Sequence, residues 1–202
     1  MTLIHLDTLD VIRDCYPSLT TSTPLPKSVN DSIELFGQTV MPPLFGFVNE
    51  APLGIVLGLL GLVMERTALQ GVVRTKVGVS VLTMLISRAE LLRQSQAQSQ
   101  GESAGDWQDL YARLFDAVEP VLPYLFAAGE EDDVHIWQFL AAMGVGASPD
   151  QQQRLVLGVK ERVMEVVGKA NGMEEGSVEK ERRLGVVNLF MRAIGLDVGL
   201  LG

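Results

Sequence analysis

Between Val77 and Arg93 apolar residues fall on nearly every side of a helix: Val77, Val79, Val81, Leu82, Met84, Leu85, Ile86, Leu91 and Leu92. A helix that is hydrophobic all round is sandwiched between neighbouring elements, so the chain has to enclose it with others. The composition says what those others are. The chain is 47% hydrophobic but only 6% aromatic, with Leu, Val, Ala, Gly and Met carrying the apolar content. That profile suits close helix packing better than a β-sandwich, which favours β-branched and aromatic residues at alternating positions. At 202 residues the chain fits one domain or one compact repeat array, with a real core.

The rest of the sequence reads as one helix after another. Leu3 to Cys15 carries Leu6, Leu9 and Ile12 or Val11 at helical spacing. A Pro-, Ser- and Thr-rich stretch around Pro17, Pro24 and Pro26 reads as an exposed loop. Asn30 is placed to cap a helix through Met41, which Pro42-Pro43 would stop. Pro52 suits the first turn of the next helix, running to about Thr67. Its apolar run, Pro52 to Met64, is shorter than the roughly 18 residues a membrane span needs, which makes it a buried helix. Gly54, Gly58 and Gly61 fall near one face of it, a spacing that predicts the close approach of another helix. After the apolar helix, Gln94 to Gly105 is rich in Gln and Ser and reads as a flexible internal loop.

Asp106 is placed to cap a helix reaching at least Val118, with Pro120 and Pro123 forcing a kink or restart. Asp132 or Asp133 caps a short helix, Val134 to Met143, ended by Gly144 and Gly146. Ser148-Pro149-Asp150-Gln151 is a strong start signal: a capping serine, proline at the first position and glutamine three residues on. The helix that follows gathers Val156, Val159, Val163, Val166 and Val167 on one face, and Asn171-Gly172 ends it. The last helix, about Val178 to Ile194, turns Leu184, Val187, Phe190, Met191 and Ile194 inward, with Gly195 as its cap. The expectation is an all-α protein of about eight or nine helices, an α-α superhelix of stacked antiparallel helix pairs forming a single domain over residues 1–202.

Charge narrows the function. A net charge of −9 repels phosphates and argues against nonspecific nucleic-acid binding. The acidity is uneven. From Arg66 to Arg93 the bases Arg66, Arg74, Lys76, Arg88 and Arg93 face a single acid, Glu90. From Glu102 to Asp150 the balance is reversed, Arg113 being the one Lys or Arg among many acids. Such segregation predicts a basic stretch able to dock an acidic protein surface or a short length of RNA, against the plain alternative of solvated helix surface. The stretch lacks aromatic stacking partners, which favours protein.

Catalytic chemistry finds no footing. Gly101-Glu102-Ser103-Ala104-Gly105 matches G-x-S-x-G, but that motif needs a strand before it, and a polar linker precedes this one. His5 and His135 are far apart in sequence, and the acids Glu130 to Asp133 before His135 suit a helix N-terminus better than a metal. Cys15 is the one cysteine, which excludes an internal disulfide and a multi-thiolate zinc site and favours a reducing compartment. No catalytic set, cofactor site or metal site is expected, and no membrane or small-molecule partner.

Several ordered blocks carry a resemblance. Residues 74–90, RTKVGVSVLTMLISRAE, open an apolar helix on a glycine and close it on Ser-Arg-Ala-Glu. Asp106-Trp107 follows after the loop, then VHIWQFLAAMGV at 134–145 and LGVVNLFMRAIGLD at 184–197. From about Pro52 to Asp197 this pattern resembles the C-terminal domain of the PAT family of mRNA-decapping activators, its fungal members in particular. The resemblance implies a helical superhelix and a non-catalytic scaffold in 5′-to-3′ mRNA decay, acting in the cytoplasm and its P-bodies. It implies as partners a cytoplasmic Sm-like heptameric ring, leucine-rich helical motifs of the decapping enzyme, and mRNA through the ring. A direct RNA-binding module is the alternative. Members of the family have a long disordered N-terminal region, so this chain is expected to be a fragment of a longer protein. On charge, Arg66, Arg74, Lys76 and Arg88 are the candidates for ring or RNA docking. Trp137 and Phe190 are the candidates for lining a helical-motif groove, with core packing as the plain alternative.

Overall fold

The computed structural model describes residues 42–66, 76–96, 103–126 and 133–196, and all regular structure among them is helical. A helical stretch over residues 42–50 is followed by α1 (Leu53–Arg66), α2 (Lys76–Gln96) and α3 (Ser103–Val118). A 3-10 segment (Glu119–Tyr124), α4 (Val134–Gly146), α5 (Pro149–Asn171) and α6 (Val178–Ala193) complete the order. The helices predicted over Leu3–Cys15 and Asn30–Met41 lie outside the described residues. The chain divides between Val118 and Glu119 into two compact units.

In the first unit α1 packs on α2 and α3. The face it buries is drawn by its larger side chains, Leu53, Val56, Leu60 and Val63, which recur at helical spacing. Gly54, Gly58 and Gly61 lie elsewhere, and a Cβ built on any of them would touch nothing within 4 Å. The predicted close helix approach at these glycines is therefore absent among the described residues. Burial of α2 runs almost all the way round, through Val79, Val81, Leu82, Met84, Leu85, Ile86 and Ala89, as its sequence requires. On α3 the buried stripe is Trp107, Tyr111, Leu114, Phe115 and Val118.

Three boundaries in this unit differ from the sequence-based expectation. Pro42 and Pro43 are themselves helical; proline's fixed φ is compatible with helical backbone, so the pair need not terminate one. Helix α3 begins at Ser103, ahead of Asp106. Of the predicted loop over 94–105, residues 94–96 close α2 and residues 103–105 open α3, while 97–102 lie outside the described residues. Ser103 of the G-x-S-x-G match is thus the first residue of a helix, and not a serine held on a strand-to-helix turn.

The second unit is centred on α4, which buries Ile136, Trp137, Phe139, Leu140, Ala141, Ala142, Met143 and Gly144. Asp133 caps it, its carboxylate accepting the His135 backbone N–H at 2.8 Å. Gly144 does not end this helix as expected. It lies inside α4, which closes at Gly146, the other glycine expected there, and Ile194 packs over it: a Cβ on Gly144 would come 2.6 Å from the Ile194 Cγ2. Helix α5 starts as its sequence predicts, with both halves of the capping box present and Pro149 in the first turn. Gln151 donates through its backbone N–H to Ser148 Oγ at 3.3 Å, and its side-chain oxygen accepts the Ser148 N–H at 2.9 Å. The inward face of α5 is Leu155, Val159, Val163, Val166 and Ala170, with Val156 and Val167 half-buried at its margins.

Helix α6 packs on both α4 and α5, and α5 packs in addition on the 3-10 segment. Gly195 closes α6 with φ +72°. Its N–H reaches Arg192 O at 3.1 Å while the Leu196 N–H reaches Met191 O at 2.9 Å, the bond pair of a Schellman stop.

Two glycines of α5 separate packing from helix propensity. A Cβ on Gly158 would lie 2.7 Å from Leu122 Cδ1 and 3.0 Å from its Cβ, whereas one on Gly168 would meet nothing within 4 Å. Overpacking costs about 1–3 kcal/mol and outweighs the propensity gain of about 1 kcal/mol. Gly158→Ala should therefore destabilise by about 1 kcal/mol, and Gly168→Ala should stabilise by about 0.5–1 kcal/mol. Urea denaturation of the two variants, with opposite shifts in midpoint, checks this; shifts of the same sign would contradict the tight fit at Gly158.

Candidate partner-binding surface

Trp137 and Phe190 come from α4 and α6 and do meet. Their rings lie 5.8 Å apart between centroids at 44°, and Phe126 stacks against Trp137 at 5.0 Å and 45°. Both are 0% exposed. The pair is consequently interior: it builds the floor on which the unit's surface rests, and neither ring lies open to a partner. A helix as uniformly apolar as α4 is enclosed on almost all sides, which carries its tryptophan inside with it. Aromatic pairs of this geometry contribute about 0.5–1.5 kcal/mol beyond the area they bury.

Of the four basic candidates, only the Arg88 side chain is described. Arg74 lies outside the described residues. Arg66 and Lys76 are the last residue of α1 and the first of α2, and their side chains lie outside the described set. Arg88 is half-buried on α2, and its Nε is fully enclosed without a hydrogen-bond partner among the described residues.

The acid at the end of the same motif has a structural task that its sequence context does not announce. Glu90 is only 4% exposed. Its carboxylate accepts Arg93 Nε at 2.9 Å, Arg93 Nη2 at 2.6 Å and Gln94 Nε2 at 2.9 Å, together with the indole N–H of Trp107 on α3. Two of the blocks that carry the family resemblance, Ser-Arg-Ala-Glu and Asp-Trp, therefore touch. Burial by itself would raise the Glu90 pKa. The hydrogen bonds from Arg93, Gln94 and Trp107, with the Arg93 charge, outweigh it and hold the group below its ordinary value. Tyr111, stacked on Trp107 at 5.4 Å, has its phenol pushed well above the usual range by burial and then by the Glu90 charge. The signal for this cluster is the spacing of Arg93 and Gln94, three and four residues after Glu90.

In the second unit two ion-pair sets border the exposed surface. Arg154 of α5 grips Glu119 of the 3-10 segment with both ends of its guanidinium fork, Nε to Oε1 at 2.7 Å and Nη2 to Oε2. That bond lowers the Glu119 pKa. At the start of α6, Glu179 accepts Arg182 Nε and Nη2, each at 2.9 Å, and Arg183 Nε at 2.8 Å, which takes its pKa down to about 2. The same unit also carries apolar side chains that helical periodicity alone does not place outside. Tyr124, Leu157, Met164, Val178 and Leu189 are all exposed.

These contacts set two expectations, one for packing and one for acid. Trp137→Ala should cost about 3–5 kcal/mol and Phe190→Leu under about 1.5 kcal/mol. Chemical denaturation measures both, and a Trp137→Ala protein of native stability would show that the ring does not hold the core together. A carboxylate whose pKa is depressed on folding stabilises fully above its unfolded pKa and loses that contribution as pH falls through its folded pKa. For Glu90 the loss begins below about pH 4.5 and continues downward. The urea midpoint of the native chain should thus fall more steeply between pH 5 and pH 3 than that of Glu90→Gln; parallel slopes would show that the carboxylate is not held as described.

The family model described as Topoisomerase II-associated protein PAT1 matches residues 1–199. Deadenylation-dependent mRNA-decapping factor pdc2 of Schizosaccharomyces pombe is 32% identical over 198 residues, covering 96% of this chain and 26% of that protein. Deadenylation-dependent mRNA-decapping factor PAT1 of Saccharomyces cerevisiae is 24% identical over 185 residues, covering 83% of this chain and 22% of that one. The chain spans about a quarter of the length of these curated relatives. Among solved structures, the C-terminal domain of the S. cerevisiae Pat1 decapping activator bound to the Dcp2 HLM10 peptide matches with a TM-score of 0.77. That match covers 94% of this chain and 74% of the other at 19% identity. A further structure of that domain matches with a TM-score of 0.73 over 82% of this chain and 65% of the other, at 20% identity. These structures share the fold. With the family model matched along almost its whole length, and a relative at 32% identity across 96% of it, this chain belongs to the PAT1 family.

Proposed function

We propose that this chain is a non-catalytic scaffold module that promotes mRNA decapping and 5′-to-3′ decay, capturing leucine-rich helical motifs of a decapping enzyme and docking on an Sm-like heptameric ring. The observation that carries the reading is the likeness in fold, across 94% of this chain, to a decapping-activator domain solved with a Dcp2 peptide. The physical case agrees with it. Capture of a short amphipathic helix needs a rigid helical surface bearing a few exposed apolar anchors. The second unit has a core locked by the Phe126, Trp137 and Phe190 rings and displays Leu157, Met164, Val178 and Leu189 on its outside. Such a module acts in the cytoplasm, in the P-bodies where decapping factors gather.

Direct RNA binding is the weaker reading. Arg93 directs its charge to Glu90, and residues 66–93 contain no aromatic side chain for base stacking. For the ring we assign the one net-basic stretch, with Arg66, Arg74, Lys76 and Arg88 as the docking residues. Purified chain should bind fluorescent Dcp2 motif peptides saturably, lose binding when the peptide leucines become alanine, and retain a reconstituted Sm-like ring in a pull-down. Arg74→Glu with Lys76→Glu should abolish ring retention with helicity unchanged; full retention would remove both residues. A folded chain that binds neither partner would refute the scaffold reading. RNA affinity falling steeply with salt, in the absence of any protein partner, would favour the alternative.

A further inference from the structure

The outer face of α5 has a symmetry of residue types that nothing inside the second unit calls for. Leu157 and Met164 are 62% and 56% exposed. They are seven residues, two helical turns, apart and share one side of the helix, away from the buried Leu155, Val159, Val163 and Val166. Midway between them stand Lys160 and Glu161, both exposed, one on each flank of the Leu157–Met164 line. The other charged side chains of α5 all have ion partners: Arg154 pairs with Glu119 and Asp150, and Glu165 takes Arg162 and Lys169. Lys160 and Glu161 have none among the described residues. Their spacing explains this. No acid stands three or four residues from Lys160 and no base at those distances from Glu161, and adjacent positions on a helix do not face each other.

We propose that this face docks a second copy of the chain, the two α5 helices lying antiparallel across a two-fold axis that passes between Lys160 and Glu161. Such an axis exchanges positions equally far from that point. Leu157, three residues before Lys160, meets Met164 of the other copy, three residues after Glu161. Lys160 meets Glu161 of the other copy, so each charge left unpaired within the chain gains an opposite partner. Further out, Gln153 meets Gly168 and Asp150 meets Asn171. All eight positions are exposed. A Cβ on Gly168 would meet nothing within 4 Å, which leaves room for the Gln153 side chain. Complementarity selects the occupant: an isologous contact needs a patch that matches itself reversed, and this one sets apolar on apolar and acid on base with no like charges opposed. RNA would meet Glu161 and no aromatic ring. A single helix pair is small among interfaces, under about 1,200 Å² in total, so the association is reversible. The pairing stands independently of the scaffold reading and adds to it, since a dimer carries every other binding surface twice and linked sites gain avidity.

The test is sedimentation equilibrium of the full chain over a wide concentration series. It is run at physiological ionic strength, where repulsion between copies of net charge −9 is screened beyond about 8 Å. The native chain should pass from monomer to dimer mass as concentration rises. Lys160→Glu brings two acids together and Glu161→Lys two bases, so each should raise the dimer Kd at least about tenfold, with native circular dichroism. Mixing those two variants should restore dimer mass, because each supplies the charge the other lacks, and so should both exchanges in one chain. A change in fold would not be rescued in this way. For the register, Leu157→Cys and Met164→Cys, each in a Cys15→Ser chain, should form an intermolecular disulfide when mixed and oxidised. Neither should do so alone, since like positions would stand about 10 Å apart. A native chain that is monomeric at every concentration overturns the proposal, as does a dimer indifferent to both charge variants. Disulfide formation by Leu157→Cys alone overturns the antiparallel register. Loss of Dcp2 HLM10 peptide binding in Leu157→Glu, with the native chain at monomer mass throughout, gives the face to that motif and overturns the self-pairing.

Discussion

Trp137 is wedged between Phe126 and Phe190, with ring centroids 5.0 and 5.8 Å away, and the second unit is arranged around that position. Helix α4 has almost no polar side to present to water, so it exists only while α6 and its other neighbours enclose it. The rings fix how α6 lies on α4, and Ile194 over Gly144 repeats the fit further along the same helix pair. Helix α5 then has a defined inner wall to pack on, and its capping box starts it in register with that wall. Everything this unit displays to solvent inherits its geometry from these aromatic contacts. The surface that a partner would touch is set by residues a partner never touches.

The first unit solves a different problem with a carboxylate. Helices α2 and α3 would be held by apolar contact alone were it not for Glu90, which accepts side-chain donors from its own helix and from Trp107 of α3. A buried ion is tolerated only when its lone pairs are filled, and four donors fill those of Glu90. The contact is directional where hydrophobic packing is not, and it links α3 to α2. This gives a physical reason for Ser-Arg-Ala-Glu and the distant Asp-Trp to occur together in one sequence.

Local chemistry is the most legible part of this sequence. The Ser148 capping box, the Asp133 cap and the Gly195 stop are readable, because each depends on residues within a turn or two of one another. The inward faces of α5 and α6 are readable in part: Val159, Val163, Val166, Val187, Phe190 and Met191 are buried as expected, while Val156, Val167 and Leu184 are half-buried and Leu155, Ala170 and Val186 go unnoticed. Depth is less legible. Periodicity says which residues share a face and not how far inside that face will lie, so it pairs Trp137 with Phe190 without revealing that both are fully enclosed. Glycines are the least legible. Gly54, Gly58 and Gly61 have the spacing of a contact and none of the contact, while Gly144 has the look of a stop and is a contact. The difference lies in what the opposing element offers, and Ile194 is 50 residues away in the chain. Exposed apolar residues escape notice for a related reason: Leu157 and Leu189 carry no local mark that separates them from core residues.

The fit of Leu122 against Gly158 bears on how the sequence can change over evolutionary time. The 3-10 segment supplies Leu122, and its Cβ and Cδ1 occupy the space that any side chain at 158 would need. Neither position can be substituted freely while the other stays as it is. A branch of the family that gains a methyl group at 158 must give up volume at 122, and one that restores glycine is free to regain it. Two positions 36 residues apart in sequence are thereby bound to drift as one character, and homologous chains should show them changing in concert.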